Sequence, residues 1–212
     1  MKLYILNNTL SPSFVLEDNG KRFLVNTPKG FYKNLEGKID GVILTSDDKY
    51  HLYDLEFVQY YQSSSMIPCF CLAEYENEIR KVWEKYEDYL DIKIIEPYKE
   101  FEGILPILLH RKTEGLASNK SLGLKINKTL ILSAYYSFTQ KSISYLDNLD
   151  LLLLTVKYLH KENRKDFISI EEVVELLKDK KIKEVELLGV SNKLKSVFDK
   201  KYLKINKLLK IK

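Results

Sequence analysis

Leu44-Thr45-Ser46-Asp47-Asp48-Lys49-Tyr50-His51-Leu52-Tyr53-Asp54-Leu55 is the stretch on which the fold turns. The apolar run Gly41 to Thr45 predicts a strand that ends in the polar cluster Ser46-Asp47-Asp48-Lys49. Leu52, Leu55 and Val58 then stand near helical spacing, which predicts a helix over Leu52 to Tyr61. Asp47, Asp48 and His51 are side chains of metal-ligand type.

Upstream, Leu3 to Leu6, Phe14 to Glu17 and Arg22 to Val25 predict short strands, the last two joined by the hairpin signal Asp18-Asn19-Gly20. Downstream, Ile67 to Leu72 predicts a strand. Cys69 and Cys71 lie two apart on it, facing one side, where they read as core thiols. Ile79, Val82, Trp83 and Tyr86 build one apolar stripe of a helix over Ala73 to Leu90, followed by a strand at Ile92 to Ile95. Strands follow at Ile104 to Leu109, Leu122 to Ile126, Leu130 to Ser133 and Leu151 to Val156, with Asn127-Lys128 as a turn. Ser169 and Glu172 form a capping box for a helix to Leu177, and Lys183 to Leu188 predicts a strand. A short helix at Ser191 to Phe198 and a hairpin of Tyr202 to Ile205 with Leu208 to Ile211 complete the reading. One domain over residues 1–212, with sheets covered by helices, fits this order.

The quoted stretch resembles the signature of the metallo-β-lactamase fold, a strand ending in Leu-Thr followed by His-x-His-x-Asp-His and a helix. Ser46 stands at the first histidine, Asp48 at the second, Tyr50 at the aspartate, and His51 matches; Asp54 replaces a glycine. The resemblance extends along the chain. Lys21 to Thr27 is similar to the strand ending in Asp-Thr-Gly, with Asn26 at the aspartate. Ile67-Pro68-Cys69-Phe70-Cys71 is similar to the Ile-Pro-Val-Tyr strand, and Pro106 to His110 to the strand that ends in the third-motif histidine. Ser121 to Leu124 is similar to the Phe-Gly-Tyr strand. Ala134 falls at the bridging aspartate and Gly189 at the last histidine. The layout is nearest to the phosphodiesterase branch, which includes the pyrroloquinoline quinone B protein. The resemblance implies an α/β fold, an αββα sandwich of two mixed sheets flanked by helices.

It also implies what the site has lost. In the family the first two histidines and the third-motif histidine hold one metal. The aspartate, its neighbouring histidine and the last histidine hold the other, and the bridging aspartate joins them. Here His110 belongs to the first set and His51 to the second. Five of these seven positions are changed, which favours a non-catalytic binding or scaffold homologue. The alternative is a hydrolase of phosphodiesterase type with one zinc or manganese ion on Asp48, His51 and His110. His160 is a further candidate for the site mouth, and otherwise reads as a surface residue. Without that ion no cofactor is expected, because glycine-rich phosphate loops, nucleophile elbows and Cys-x-x-Cys pairs are absent from the sequence.

Composition narrows the partners. The 212 residues carry a net charge of +4, with 34 basic and 30 acidic residues. Lys193 to Lys212 holds eight lysines and one acid, so this tail is +7 and the rest −3. A tail of that kind meets nucleic-acid phosphates or an acidic partner, or is simply a solvated face. The 15 tyrosines include Tyr50, Tyr53, Tyr60, Tyr61, Tyr135 and Tyr136 near the site loops, where they would cover an old cleft or offer a surface to a protein partner or a second copy. Two cysteines make no disulfide framework, and no apolar run reaches the ~18 residues of a membrane span. A cytoplasmic protein is expected.

Overall fold

Asp18-Asn19-Gly20 turns the chain as its residues predict. Asn19 and Gly20 take φ of 50° and 78°, the left-handed pair of a two-residue hairpin loop. The turn joins β2 (Ser13–Asp18) to β3 (Lys21–Val25), with Asp18 opposite Lys21. The structure, a computed structural model, describes residues 1–7, 11–63, 66–84, 89–110, 120–133, 137–156 and 168–189. They form two units, one built on Met1–Glu96 and one on the described residues from Pro97 onward.

The first unit holds a six-stranded mixed sheet. To β2 and β3 it adds β1 (Lys2–Asn7), β4 (Gly41–Ile43), β5 (Ile67–Cys71) and β6 (Leu90–Ile94), in spatial order β1-β2-β3-β4-β5-β6. The pairs β1–β2 and β2–β3 are antiparallel, and the rest are parallel. Alternation is visible in β5, where Ile67, Cys69 and Cys71 are buried and Pro68 and Phe70 half-buried. The connections carry α1 (Lys49–Leu52), 3-10 turns at Phe31–Asn34, Leu55–Tyr60 and Ala73–Tyr75, and α2 (Glu76–Trp83). Ile79 and Trp83 of the expected stripe are buried, which seats α2.

The second unit holds a five-stranded mixed sheet of β7 (Leu105–His110), β8 (Lys120–Ile126), β9 (Thr129–Leu132), β10 (Leu149–Thr155) and β11 (Ile182–Leu188). Its order is β11-β10-β9-β8-β7, antiparallel from β7 to β9 and parallel from β9 to β11. Thr139 caps α3 (Gln140–Ile143), and a 3-10 turn follows at Ser144–Leu146. Ser169 and Glu172 close the expected capping box on α4 (Ile170–Leu177). Ile170, Val173 and Leu177 of α4 join Leu130, Leu132, Leu152, Leu154, Val185 and Leu187 of the sheet in one apolar core.

Two expected helices are corrected. The segment Leu52 to Tyr61 is not one helix, because Asp54 takes φ −114° and donates its N–H to Thr27 O, leaving α1 and a separate 3-10 turn. The helix expected to Leu90 cannot reach it, because Leu90 already pairs with Ile67 at the start of β6. The expected tail helix and closing hairpin lie outside the described residues. Among the described residues no helix is long and apolar enough to cross a membrane.

Candidate functional site

The candidate site of the first unit lies where the chain leaves β3 and β4, and it is built by two loops that satisfy each other's polar groups. Asn26 leaves β3 with φ 56°, a left-handed conformation that asparagine tolerates better than most residues. Its N–H donates to Ile43 O at 3.0 Å, and its Oδ1 accepts from both the N–H and the Oγ1 of Thr45, each at 3.0 Å. Ser13 Oγ donates to Asn26 O at 2.8 Å. Thr27 donates its N–H to His51 O at 2.7 Å and its hydroxyl to the same carbonyl at 3.1 Å. Thr27 O in turn accepts from Asp54 N–H at 3.0 Å. These bonds clamp the exit of β3 to the end of the β4 segment and to the C-terminal end of α1. Tyr75 closes the far side, its hydroxyl donating to Thr45 O at 3.2 Å.

The acids are drawn into the same framework. Asp48 caps α1, its Oδ1 accepting from Tyr50 N–H at 2.9 Å, while its own N–H donates to Ser46 Oγ at 3.1 Å. Asp54 Oδ2 accepts from Gly30 N–H at 2.5 Å. Asp47 and Asp48 are 6% exposed, Asp54 8% and His51 0%. Burying carboxylates is costly without such partners, so the loops have one well-defined arrangement.

The structure therefore brings Asp48 and His51 into one turn, with His51 N–H donating to Asp48 O at 2.8 Å. His110 belongs to the second unit. It ends β7, is exposed, and exchanges main-chain hydrogen bonds with Ser137 at 3.0 and 2.5 Å. Tyr50, at the family's aspartate position, is 51% exposed. Gly189, at the last histidine position, follows β11 with φ 69°, where any residue with a Cβ is strained. Ala134, Tyr135, Tyr136, His160 and the tail Lys193 to Lys212 lie outside the described residues. Among the described residues no three of His, Cys, Asp and Glu form a group that could hold a metal ion.

Cys69 and Cys71 are buried free thiols, as the strand reading expects. Burial holds Cys69 well above its ordinary value, with Cys71 adding to the effect, and pushes Cys71 up to about 12 with help from the charge of Glu76. Such thiols are inert rather than nucleophilic. The sequence reading passed over the Asn26–Thr45 and Thr27–His51 ties. Their signal is the polar pair Asn26-Thr27 directly after an apolar strand.

With this geometry in hand, solved structures supply the class. A diphosphatase of the PhnP family superposes with a TM-score of 0.81 at 14% identity, covering 99% of this chain and 94% of that one. The short form of human tRNase Z gives 0.71 at 12% identity, over 100% and 96%. Zinc-bound PqqB from Methylobacterium extorquens gives 0.71 at 11% identity, over 95% and 84%. The chain has the metallo-β-lactamase fold, with two mixed sheets and their helices as expected. No protein-family model and no curated protein matches the sequence.

Proposed function

We propose that this chain is a metallo-β-lactamase-fold protein that acts by binding a partner, without the two-metal hydrolysis that the family resemblance implies. The observation that carries the reading is the use of the acids. Asp48 spends an oxygen on the N-terminus of α1, fixing its own turn, and Asp54 spends one on Gly30 N–H, tying two loops together. Ser46, a poor ligand, accepts from Asp48 N–H. Gly189, where the resemblance places the last histidine, has no side chain to offer a metal and takes φ 69°, which glycine adopts without strain. A zinc or manganese pair needs about six to seven donors of imidazole or carboxylate type, and the residues at these positions do not fit that requirement. The partner is a protein or a polyanion, met through the exposed tyrosines of the first unit.

The test is phosphodiester hydrolysis by wild type, His51→Ala and His110→Ala, with zinc and with manganese. The reading predicts the same background rate in all three. A wild-type rate well above background that both substitutions abolish would contradict it, and would point to a mononuclear hydrolase using Asp48, His51 and His110.

A further inference from the structure

Segment 49–60 has two sides. His51, Leu52, Asp54, Leu55 and Val58 are buried, while Tyr50, Tyr53 and Tyr60 are 51%, 51% and 66% exposed. Tyr50 and Tyr53 stand three residues apart on α1 and its C-cap, and half-buried Phe57 and Tyr60 three apart on the 3-10 turn, so the segment presents two aromatic pairs. Phe57 fixes the row from below, stacked on Tyr32 at 4.4 Å between centroids and 6.3 Å from Tyr60. Large exposed aromatics on a segment whose inner side is fully packed are not needed for the core.

Two of the exposed tyrosines have a lysine at the ring, and a third lysine holds the main chain at Tyr60. Lys49 Nζ stands 5.3 Å from the Tyr50 ring centroid and Lys29 Nζ 5.6 Å from that of Tyr53. Lys38 Nζ donates to Tyr60 O at 3.1 Å. Among the described residues the ion pairs of this unit lie elsewhere, among Asp18, Glu17, Glu76, Glu78 and Asp91 and their partners. The segment offers three exposed aromatic rings, with a lysine ammonium at those of Tyr50 and Tyr53 and a third lysine at the main chain of Tyr60.

We infer that the Tyr50–Tyr53–Tyr60 row with Lys29, Lys38 and Lys49 is a docking surface for single-stranded nucleic acid, its bases stacked on the tyrosines and its phosphates met by the lysines. Stacking needs unpaired bases, which a duplex does not present, and it tolerates any base because every base has a π-face. The inference names the partner class for the binding reading given above and rests on it.

The experiment is fluorescence anisotropy of the full chain with a labelled oligothymidylate of about twelve nucleotides, beside labelled heparin, which carries charge without bases. Tyr50→Ala/Tyr53→Ala is expected to weaken oligothymidylate binding about tenfold or more and to leave heparin binding unchanged, while Tyr50→Phe/Tyr53→Phe restores it. Lys29→Gln/Lys49→Gln is expected to lower the slope of log affinity against log salt by about 1.4. Equal affinity of wild type and the double alanine variant, or no saturable oligothymidylate binding at low salt, would overturn the inference. Cleavage of the bound oligonucleotide would leave the docking surface standing and defeat the non-catalytic reading instead.

Discussion

Among the described residues the first unit buries Asp47, Asp48, Asp54 and His51, whereas the second buries no polar side chain but the hydroxyls of Ser121, Thr129, Ser133, Ser142, Thr155 and Ser169. Both sheets follow the same scheme, an antiparallel part continued by a parallel part. The scheme therefore does not decide what is buried. The loops after β3 and β4 do, by presenting main-chain N–H groups to Asp48 and Asp54. Chemistry in this fold is a property of its loops, and here the acids serve the loops themselves.

Substitutions can break or sharpen this contrast, and the largest effect belongs to the apolar unit. Leu154→Ala removes a side chain that is 1% exposed in the leucine core. The expected loss is about 3 kcal/mol in urea unfolding, and a loss below about 1 kcal/mol would mean that this core is loosely packed. Next is Asn26→Ala, which removes both Thr45 hydrogen bonds and leaves alanine at φ 56°. About 2 kcal/mol is expected. Asn26→Gly removes the same bonds and relieves the backbone, so it should cost roughly 1 kcal/mol less; an equal cost would assign the whole effect to the hydrogen bonds. Ser169→Ala removes the N-cap of α4 and is expected to cost about 1 kcal/mol, read from the same unfolding curves.

The smallest effect is silent at neutral pH. Folded Cys71 titrates near 12, above the ordinary value of 9.0 that the unfolded chain shows, so the folded state keeps a proton that the unfolded state loses. This contribution to stability is fully present below about pH 9 and declines as the pH rises towards 12. Cys69 acts in the same direction. Urea midpoints should fall between about pH 9 and 11 in wild type and fall less in Cys69→Ala/Cys71→Ala. An identical fall in both would place the alkaline loss elsewhere.

Local signals in the sequence translated directly into structure. Asn19-Gly20 carries its own left-handed turn, and Ser169 with Glu172 carries its own helix start, because each depends on residues at most three apart. The helix over Leu52 to Tyr61 failed for the opposite reason. Its apolar spacing is sound, but Thr27 O captures Asp54 N–H from 27 residues upstream in sequence. At the site, the closeness of Asp48 and His51 was legible from their spacing. That Asp48 and Asp54 would be spent on backbone N–H groups was not, since the Gly30 donor to Asp54 arrives from the loop after another strand. The tyrosine row was visible as composition, and only burial showed which rings face outward.

The central claim is that this fold here works without its metal pair. Elemental analysis of the purified protein, before and after soaking in zinc and in manganese and removal of free ion, tests it most directly. The account predicts far less than one retained ion per chain, unchanged in His51→Ala. One or two ions held per chain, and lost in His51→Ala or His110→Ala, would contradict it.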